Sequence, residues 1–416
     1  MNPTISSKCE EIKSCRSCES NSLDRFLELG VQPLSGVFPK KSEEDPMAGP
    51  LNLVKCSSCH LVQLEHNYPL DEMYGDNYGY RSGLNASMVA HLNAKVSKLF
   101  THFNLSYSST VLDIGSNDGT LLNAIPGDGC IRVGMDPTIS KFGEYYKESI
   151  IKIPEFFTAE SFLRASEKAD LITSISMLYD LQNPMDFVRD IEKSLTTEGV
   201  WHFEQSYLPT MMEANAYDTV CHEHLEYYSL HSISVMLEMA NLRIIDVEFN
   251  STNGGSFAVT ATKIGNLHRV NPLVKWFIER EKSLELDKME IYHKFRSNVQ
   301  NHVELMKSFF TLTSENNLEV FGLGASTKGN VLLNASNIDS SLMSAIVDVN
   351  EYKWGRVTPG SRIPIISEEE FKEKNPDFAF VLPWHFKASM NNRYKEFMAS
   401  GGKLVYPLPI FEVLGD

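Results

Sequence analysis

The chain contains 416 residues, of which 42% are hydrophobic and 22% charged, and its formal net charge is −16. This length predicts two or three domains, and the composition is typical of a folded soluble protein. The acidic total excludes a protein whose main task is binding nucleic acid, because that task needs a basic surface. A small anionic substrate remains compatible, since a few local cations and helix N-termini overcome an unfavourable average field.

The N-terminal sequence does not resemble a secretory signal peptide, and no run of about 18 apolar residues predicts a membrane span. Seven cysteines are present, and five of them fall within the first 59 residues. An odd number concentrated at one end favours metal-binding thiolates in a reduced compartment over a disulfide framework. The sequence therefore predicts a cytoplasmic protein without membrane or nucleic-acid partners.

Two CxxC pairs stand near the N-terminus, at Cys15, Cys18, Cys56 and Cys59. In each pair the two-residue spacing lets a tight turn direct both thiolates at one point, and two such turns complete a tetrahedral zinc site. Scattered core cysteines or a redox pair are the alternatives, and Cys9 and His60 rank as substitute ligands below the four cysteines. Four protein ligands leave no open position, so the predicted Zn²⁺ is structural. The 37 residues between the pairs predict strand and loop material inserted into a zinc-ribbon-like fold.

The central part alternates between helices and strands. A helix is predicted near residues 84–103, and strands are predicted at residues 111–114, 133–136, 171–176, 199–204 and 256–262. Repeated βα units produce a mostly parallel sheet that binds ligands at the carboxyl ends of its strands.

The loop after the first of these strands carries the predicted cofactor site. Its glycines, Gly115 and Gly119, allow the backbone to approach a ligand closely, and a helix N-terminus follows. Asp136 lies 21 residues beyond Gly115 at a strand end, where a carboxylate accepts ribose hydroxyls. The spacing departs from GxGxxG, which favours S-adenosylmethionine (SAM) over NAD, and a turn without a ligand is the alternative. The predicted cofactor-binding residues are Asp113, Gly115, Asn117, Asp118, Gly119 and Asp136.

The C-terminal part repeats this plan. Residues 268–310 combine charge with apolar periodicity, which predicts long linking helices. A strand and a Gly-rich turn follow, and Asp348 ends the next predicted strand, 24 residues after Gly324. This arrangement predicts substrate binding, with Lys328 pairing with a diphosphate and Asp348 holding a ribose. A redox cofactor is disfavoured by the spacing, and a domain that only packs is the alternative. A later strand directs His385 toward the same cleft.

These patterns predict an α/β chain with two Rossmann-like doubly wound sheets, the first of the class I SAM methyltransferase type, behind a small zinc-ribbon-like domain. The predicted divisions are residues 1–68 for the zinc-binding domain, 69–267 for the methyltransferase domain with its helical lead-in, and 268–416 for the linking helices and a C-terminal Rossmann-like domain of the nucleotide-binding type, to which the resemblance described next assigns the nucleotide-sugar.

Short motifs occur in a fixed order along nearly the whole chain. Besides the CxxC pairs and the cofactor loop, they are QPLS (32–35), LVQL (61–64), YGY (78–80), FEQSY (203–207), EH (223–224), NGGS (253–256), FGLGASTKG (321–329) and TPGxxIP (358–364). Their order resembles that of the nucleotide-sugar C-methyltransferases of deoxysugar pathways, which include the sugar 3-C-methyltransferases. The resemblance implies a zinc domain, a SAM-binding domain and a Rossmann-like C-terminal domain, and methyl transfer to C3 of an NDP-4-keto-6-deoxysugar. Such a reaction needs a base of near-neutral pKa and donors for an enolate oxygen.

The resemblance also implies site residues. The Glu-His pair of the family matches Glu223 and His224, and His224 is the predicted general base because imidazole titrates nearest the working pH. Glu223 is a partner or a second acid–base group. Polar residues on a surface face are the alternative reading of this pair, and His222 is interpreted as structural. The active-site tyrosine of the family matches Tyr80 in preference to Tyr78, which is assigned to substrate binding.

The chain departs from the family pattern at two positions. Cys221 stands where the family has a tyrosine, and Asp180 stands where it has a histidine. Either Tyr179 or Tyr227 is a candidate for the missing phenol, and Asp180 is a candidate acid–base residue. Both departures replace one side chain that carries or exchanges a proton by another, so they bear on the substrate and on the assignment of steps.

Two other functions are compatible with the sequence. An O- or N-methyltransferase acting on another small molecule uses the same cofactor loop, and a zinc-containing binding or scaffold protein retains the folds without catalysis.

Overall fold

The computed structural model describes residues 5–69, 72–73, 81–126 and 129–415. Tyr78 and Tyr80 lie outside these residues, so their assigned roles stay predictions. No helix within the described residues is long and apolar enough to cross a membrane.

The N-terminal part is built on an antiparallel sheet of four strands in the spatial order β11-β4-β3-β2. The strands are β2 (Leu23–Pro33), β3 (Ala48–Cys56), β4 (Val62–Leu64) and, from the middle of the chain, β11 (Glu226–Tyr227). A small antiparallel ladder beside it pairs β1 (Glu10–Glu11) with β5 (His66–Asn67).

The central part is a seven-stranded sheet in the order β12-β13-β10-β9-β6-β7-β8. The strands are β6 (Thr110–Ile114), β7 (Ile131–Met135), β8 (Ile151–Ile153), β9 (Ala169–Ile175), β10 (Leu195–Ser206), β12 (Leu242–Asn250) and β13 (Ser256–Lys263). The strands from β6 to β10 are parallel, and β13 runs antiparallel to its neighbours β10 and β12.

Helices cover this sheet because its inner strands are apolar on both faces. All five residues of β6 are buried, which is the pattern of a parallel strand enclosed on two sides. The helices are α1 (Ala86–His102), α2 (Thr120–Ala124), α3 (Ile139–Phe142), α4 (Ala159–Ala165), α5 (Pro184–Ser194), α6 (Leu208–Glu213) and α7 (Leu230–Met239). Pro184 opens α5, where its missing N–H costs nothing, and Ser229 caps α7.

The C-terminal part is a six-stranded sheet in the order β16-β15-β14-β17-β18-β19. Its strands are β14 (Val320–Leu323), β15 (Ala345–Val347), β16 (Ile365–Ile366), β17 (Phe378–Val381), β18 (Lys403–Tyr406) and β19 (Glu412–Leu414). All are parallel except β19. The helices are α8 (Pro272–Ser283), α9 (Met289–Glu315), α10 (Thr327–Ala335), α11 (Glu368–Lys374), α12 (Lys387–Arg393) and α13 (Lys395–Ala399). The long linking helices predicted at residues 268–310 are α8 and α9.

One segment connects all three sheets. Residues 207–228 leave the central sheet after β10, pass against α10 of the C-terminal part, and end in β11, which pairs with β4 of the N-terminal sheet. A single apolar core extends across the N-terminal strands, this segment and the C-terminal sheet. We call residues 207–228 the connecting segment. The sequence pattern did not predict β11, because two residues carry no recognisable period.

Candidate active site

The two CxxC turns meet in the structure. The sulfur atoms of Cys15, Cys18, Cys56 and Cys59 all lie within 4.8 Å of one another, and three of the four residues are buried. A distance of this size suits four thiolates around one tetrahedral Zn²⁺. Cys9 lies apart, with its sulfur 3.7 Å from the Ala48 carbonyl oxygen, and the ring of His60 packs against His231. The four predicted cysteines therefore form the cluster, and the two substitutes do not.

The local backbone explains this convergence. A residue in the left-handed region follows each pair, Glu19 with a φ of 60° and His60 with a φ of 61°. Each closes a turn by donating its N–H to the carbonyl oxygen of the first cysteine of its pair. Gln63 donates from Nε2 to the sulfur of Cys15 over 3.2 Å, a contact that favours a thiolate.

The predicted cofactor loop has the shape of a cradle. Gly115 and Gly119 have φ values of 69° and 74°, which side chains rarely adopt. A Cβ on Gly119 would lie 2.8 Å from the ring of Tyr146, so only glycine fits there without displacing that ring. The loop thus presents backbone to whatever binds, as SAM requires.

Two carboxylates line this loop. Asp136 accepts the backbone N–H groups of Asn117 and Thr138 over 2.9 and 2.7 Å, which fixes it at the end of β7. Asp113 is fully buried, and burial raises its pKa to about 7, while the hydroxyl of Thr173 at 2.6 Å opposes the shift. Asp113 therefore gains or loses a proton near neutral pH.

Asn117 and Asp118 have a second role. The Asn117 side chain accepts the backbone N–H of Ser82 over 3.0 Å, and Asp118 accepts that of Gly83 over 3.0 Å. Arg81 forms an ion pair with Asp118 at 3.3 Å. The two loop side chains thus anchor the segment that follows the tyrosine-rich residues, and their predicted contact with the cofactor stays a prediction.

His224 lies on the connecting segment with a fixed orientation. Its Nδ1 is 3.0 Å from the Thr219 carbonyl oxygen, which can only accept, so Nδ1 carries the proton and Nε2 keeps a lone pair. The ring meets the edge of Tyr179 at 4.5 Å between centroids. Burial and the nearby Lys328 ammonium lower the pKa of His224 to about 4, so the ring is neutral at pH 7.

The pKa of the neighbouring carboxyl group, that of Glu223, is shifted in the opposite direction. Burial raises the pKa of Glu223, and a bond from the Gly36 backbone only partly offsets it. A Cβ on Gly36 would lie 2.2 Å from Glu223 Oε1, so glycine is needed for this approach. Within the described part of the chain, Glu223 Oε2 is buried without a hydrogen-bond partner. The structure therefore pairs a carboxyl group whose pKa is raised with a neutral imidazole.

The C-terminal part supplies further groups to the same place. Lys328, at the start of α10, lies close enough to Asp218, His224 and His385 to shift the pKa of each. Asp218 is completely buried and accepts the indole N–H of Trp384 over 2.8 Å. Burial and Lys328 lower the pKa of His385 to about 3. Lys328 is thus near the predicted base.

The residues at the two departures from the family pattern also lie near His224. Asp180 follows β9 in a short 3₁₀ turn, and Cys221 is buried, with its pKa raised by burial and by Glu223. The hydroxyl of Tyr227 donates to the Thr219 carbonyl oxygen over 3.4 Å in a buried position. Of the two phenol candidates, Tyr179 has its ring against His224, whereas Tyr227 has its hydroxyl on the backbone.

Asp348 lies at the carboxyl end of β15, as expected for a ribose-binding residue. Its Oδ1 accepts the backbone N–H of Asn350 over 2.8 Å, and its Oδ2 is 3.4 Å from the Lys353 ammonium. His222, interpreted as structural, is buried with its ring nitrogens 3.3 Å from the Ser35 hydroxyl and 3.4 Å from the Gly49 carbonyl oxygen.

Two features were not found from the sequence. The first is Asp218, which belongs to no recognisable motif. Its partner Trp384 is 166 residues away in the chain, so the sequence does not show that the two residues pair. Glu204 is fully buried at the end of β10, where His91 and Lys95 contact its oxygens at 2.7 and 2.8 Å. Burial would raise the pKa of Glu204, but these partners lower it to about 2. The FEQSY motif pointed to Glu204 without revealing that it anchors α1.

Comparison with known proteins agrees with this arrangement. Residues 15–74 match a zinc binding domain family, residues 86–247 a methyltransferase domain family, and residues 251–409 a family described as the C-methyltransferase C-terminal domain. The chain is 28% identical over 405 residues to the C-methyltransferase NovU of Streptomyces niveus, which covers 96% of each protein. The chain is a SAM-dependent C-methyltransferase. The expected zinc-containing C-methyltransferase family, the structural zinc and the SAM cofactor are confirmed.

Two solved methyltransferases that this chain resembles each align with less than half of it. A SAM-dependent methyltransferase from Clostridium acetobutylicum is 12% identical, with 42% of this chain and 92% of that chain covered and a TM-score of 0.34. The CcbJ methyltransferase from Streptomyces caelestis is 11% identical, with 41% and 89% covered and a TM-score of 0.33.

Proposed function

We propose that this C-methyltransferase transfers the methyl group of SAM to C3 of an NDP-4-keto-6-deoxysugar after His224 removes the C3 proton. The observation that carries the proposal is the orientation of His224, whose Nδ1–H is held by Thr219 so that Nε2 is available as a base. The motif order shared with nucleotide-sugar C-methyltransferases and the relation to NovU support the substrate class.

The residues around His224 suit proton removal next to a ketone. The C3–H electrons move into a C3–C4 double bond, the C4 oxygen becomes an enolate, and Nε2 of His224 takes the proton. Lys328 opposes a positive charge on His224 in the free protein. A developing negative oxygen beside Lys328 offsets that effect, because the ammonium then stabilises the enolate while the imidazole becomes charged.

Glu223 completes the acid–base set. Burial raises the pKa of Glu223, which favours a protonated carboxyl that donates a hydrogen bond to a substrate oxygen over a carboxylate that repels an enolate. Asp180 is the second candidate base, since it replaces a family histidine. When bound, SAM supplies an electrophilic methyl group on a positively charged sulfur. Asp113, Asp136 and the two loop glycines are the proposed residues that hold it, facing the carboxyl ends of β6 and β7.

We also propose the divisions 1–68, 69–267 and 268–416 as domains, and a cytoplasmic location. Three separate sheets support the divisions, although β11 crosses the first of them. A site built of reduced thiols supports the location.

The decisive experiment incubates the protein with methyl-labelled SAM and a set of NDP-4-keto-6-deoxyhexoses, and then locates the label by mass spectrometry and NMR. We expect a methyl group on C3. A methyl group on oxygen or nitrogen would replace the proposal with the O- or N-methyltransferase alternative, and absence of methylation across the set would remove the substrate class.

A further inference from the structure

One buried cation of the N-terminal part lies outside the candidate active site. Arg16 stands between the zinc ligands Cys15 and Cys18 in the sequence, and its side chain is only 3% exposed. An arginine is rarely buried unless its donors are satisfied, because removing the charge from water is costly. The contacts of Arg16 therefore show which part of the structure this charge stabilises.

The guanidinium of Arg16 binds the segment that follows the second zinc pair. Nη1 donates to the Leu64 carbonyl oxygen over 2.6 Å, and Nη2 donates to the His66 carbonyl oxygen over 3.0 Å. Both Nη2 and Nε donate to Oδ1 of Asn67, over 2.6 and 3.2 Å. This planar fork fixes three residues at once, which the ammonium group of a lysine on its flexible stem does not do.

Leu64 connects this fixed segment to the candidate base. The Leu64 N–H donates to the Leu225 carbonyl oxygen over 2.8 Å, next to the ladder between β4 and β11. Leu225 is fully buried and directly follows His224. The N–H of Leu225 donates to the Tyr179 carbonyl oxygen over 2.7 Å. The backbone beside His224 is therefore held from two sides, by the N-terminal sheet and by the turn after β9.

A second set of contacts joins Arg16 to β11. Its Nε lies 3.6 Å from Oε1 of Glu226, whose side chain is completely buried. Gln63 pairs with Glu226 across the ladder and accepts the backbone N–H of Arg16 over 3.0 Å. The Gln63 amide also donates to the sulfur of Cys15 over 3.2 Å. A zinc ligand, the arginine and the strand after His224 thus form one buried polar network, and such networks favour a single arrangement.

We propose that Arg16 is a positioning residue for methyl transfer, which holds the imidazole of His224 at the substrate through Leu64 and β11. The inference rests on the proposed function and gives the zinc-binding module a part in that reaction. Zn²⁺ bound to Cys15 and Cys18 fixes the backbone on both sides of Arg16. The position of a base matters greatly, because a displacement of about 1 Å lowers the rate by about 10²-fold.

Kinetics of the holoenzyme give the first test, with C3 hydrogen exchange in deuterated water and methyl transfer as the two readouts. Arg16→Ala should lower kcat for both by about 10- to 100-fold and leave KM and the SAM Kd unchanged. Arg16→Lys keeps the charge and loses the fork, so its loss should be smaller. Arg25→Ala is the matched control and should equal the wild type, because Arg25 pairs with Glu65 in the same sheet at a 45% exposed position.

NMR of protein labelled with ¹⁵N-histidine gives a test that needs no substrate. The signals of His224 are assigned by their absence in His224→Ala. The wild type should show one neutral tautomer with the proton on Nδ1, which the Thr219 carbonyl oxygen accepts. Arg16→Ala should show a mixture of both tautomers, and Arg25→Ala should show the wild-type signals. An arginine that only stabilised the fold would change the Tm and leave the tautomer as it is.

Zinc content and SAM affinity show whether each variant is folded. If Arg16→Ala loses zinc, Glu226→Gln decides, because it removes the carboxylate that faces Arg16 and keeps the contacts of the arginine with β4. This variant should lower kcat by about 2- to 30-fold and also yield both tautomers. A wild-type kcat and a single His224 tautomer in the deciding variant would overturn the positioning role.

The two readouts separate this inference from the proposed function. If the wild type methylates no nucleotide sugar, the proposed reaction fails, and the tautomer of His224 still decides the role of Arg16. If the wild type methylates C3 and the deciding variant does so equally well, the reaction stands and the positioning role fails.

Discussion

The two Rossmann-like sheets share a core strand order but differ in the charge at their ligand-binding edges. Five parallel strands follow the same order in each, β8-β7-β6-β9-β10 in the central sheet and β16-β15-β14-β17-β18 in the C-terminal sheet. The central edge carries the two carboxylates Asp113 and Asp136, whereas the C-terminal edge combines the carboxylate of Asp348 with the ammonium of Lys328.

This difference suits the two ligands that we propose, which carry opposite charges. Carboxylates suit the ribose hydroxyls and the positive sulfur of SAM, and cations suit a diphosphate. The connecting segment with His224 lies where the two edges meet. The comparison therefore predicts that a substitution at one edge weakens the binding of one ligand only. A substitution of the catalytic residue in the connecting segment should abolish the reaction and leave the binding of both ligands intact.

The largest effect is expected from the zinc site, which belongs to neither edge. Cys18→Ser should lose the metal, because binding free energy in such sites is also folding free energy, of about 10–16 kcal/mol. The N-terminal sheet supports β11, so methyl transfer should fall with it, while SAM affinity persists. Metal analysis measures the zinc content, and calorimetry measures the SAM affinity. Undiminished zinc in this variant, or a metal-free wild type that is fully folded and active, would contradict the assignment.

His224→Ala should remove chemistry and leave both edges intact. With a 4-keto sugar in deuterated water, the wild type should exchange the C3 hydrogen, and the variant should lose exchange and methyl transfer by about 10²–10⁴-fold. SAM should bind to it normally. Asp180→Asn is the matched comparison: exchange that survives in His224→Ala but fails in Asp180→Asn would make Asp180 the base.

Asp136→Ala should affect the acidic edge alone. Loss of charge-assisted bonds to two ribose hydroxyls should weaken SAM binding by about 1.5–3 kcal/mol, which is roughly tenfold to a hundredfold in Kd. Binding of nucleoside diphosphate should be unchanged. Equal SAM affinity in the variant and the wild type would move the cofactor away from this loop.

The smallest expected effect is a pH dependence at the same edge. Because burial raises the pKa of Asp113 to about 7, the free protein holds this proton below neutral pH. Positively charged SAM favours the carboxylate, so binding should release a proton and weaken by up to about tenfold for each pH unit below 7. Calorimetry in buffers of different ionisation enthalpy measures the release. Asp113→Asn should show neither the release nor the slope, and a persistent slope would assign the proton elsewhere.

The sequence predicted the elements with strong local signals. The strands at residues 111–114 and 256–262 correspond to β6 and β13, and the four cysteines meet because each turn is encoded within a few residues. Motif order located His224. The sequence did not predict what surrounds His224. Asp218 and Trp384 are brought together only by the tertiary fold, and the need for glycine at position 36 is apparent only from its contact with Glu223.

The path of β11 has a consequence for building chimaeric enzymes. Exchanging residues 1–68 between relatives would replace three strands of a sheet and leave the fourth behind. Arg16 lies between two zinc ligands in the sequence, and its buried Nε is 3.6 Å from Oε1 of Glu226 in that fourth strand. A mismatched exchange would therefore leave one of these charges buried without its partner. Successful recombination of these enzymes therefore has to transfer the connecting segment together with the metal-binding module, although more than a hundred residues separate them in the chain.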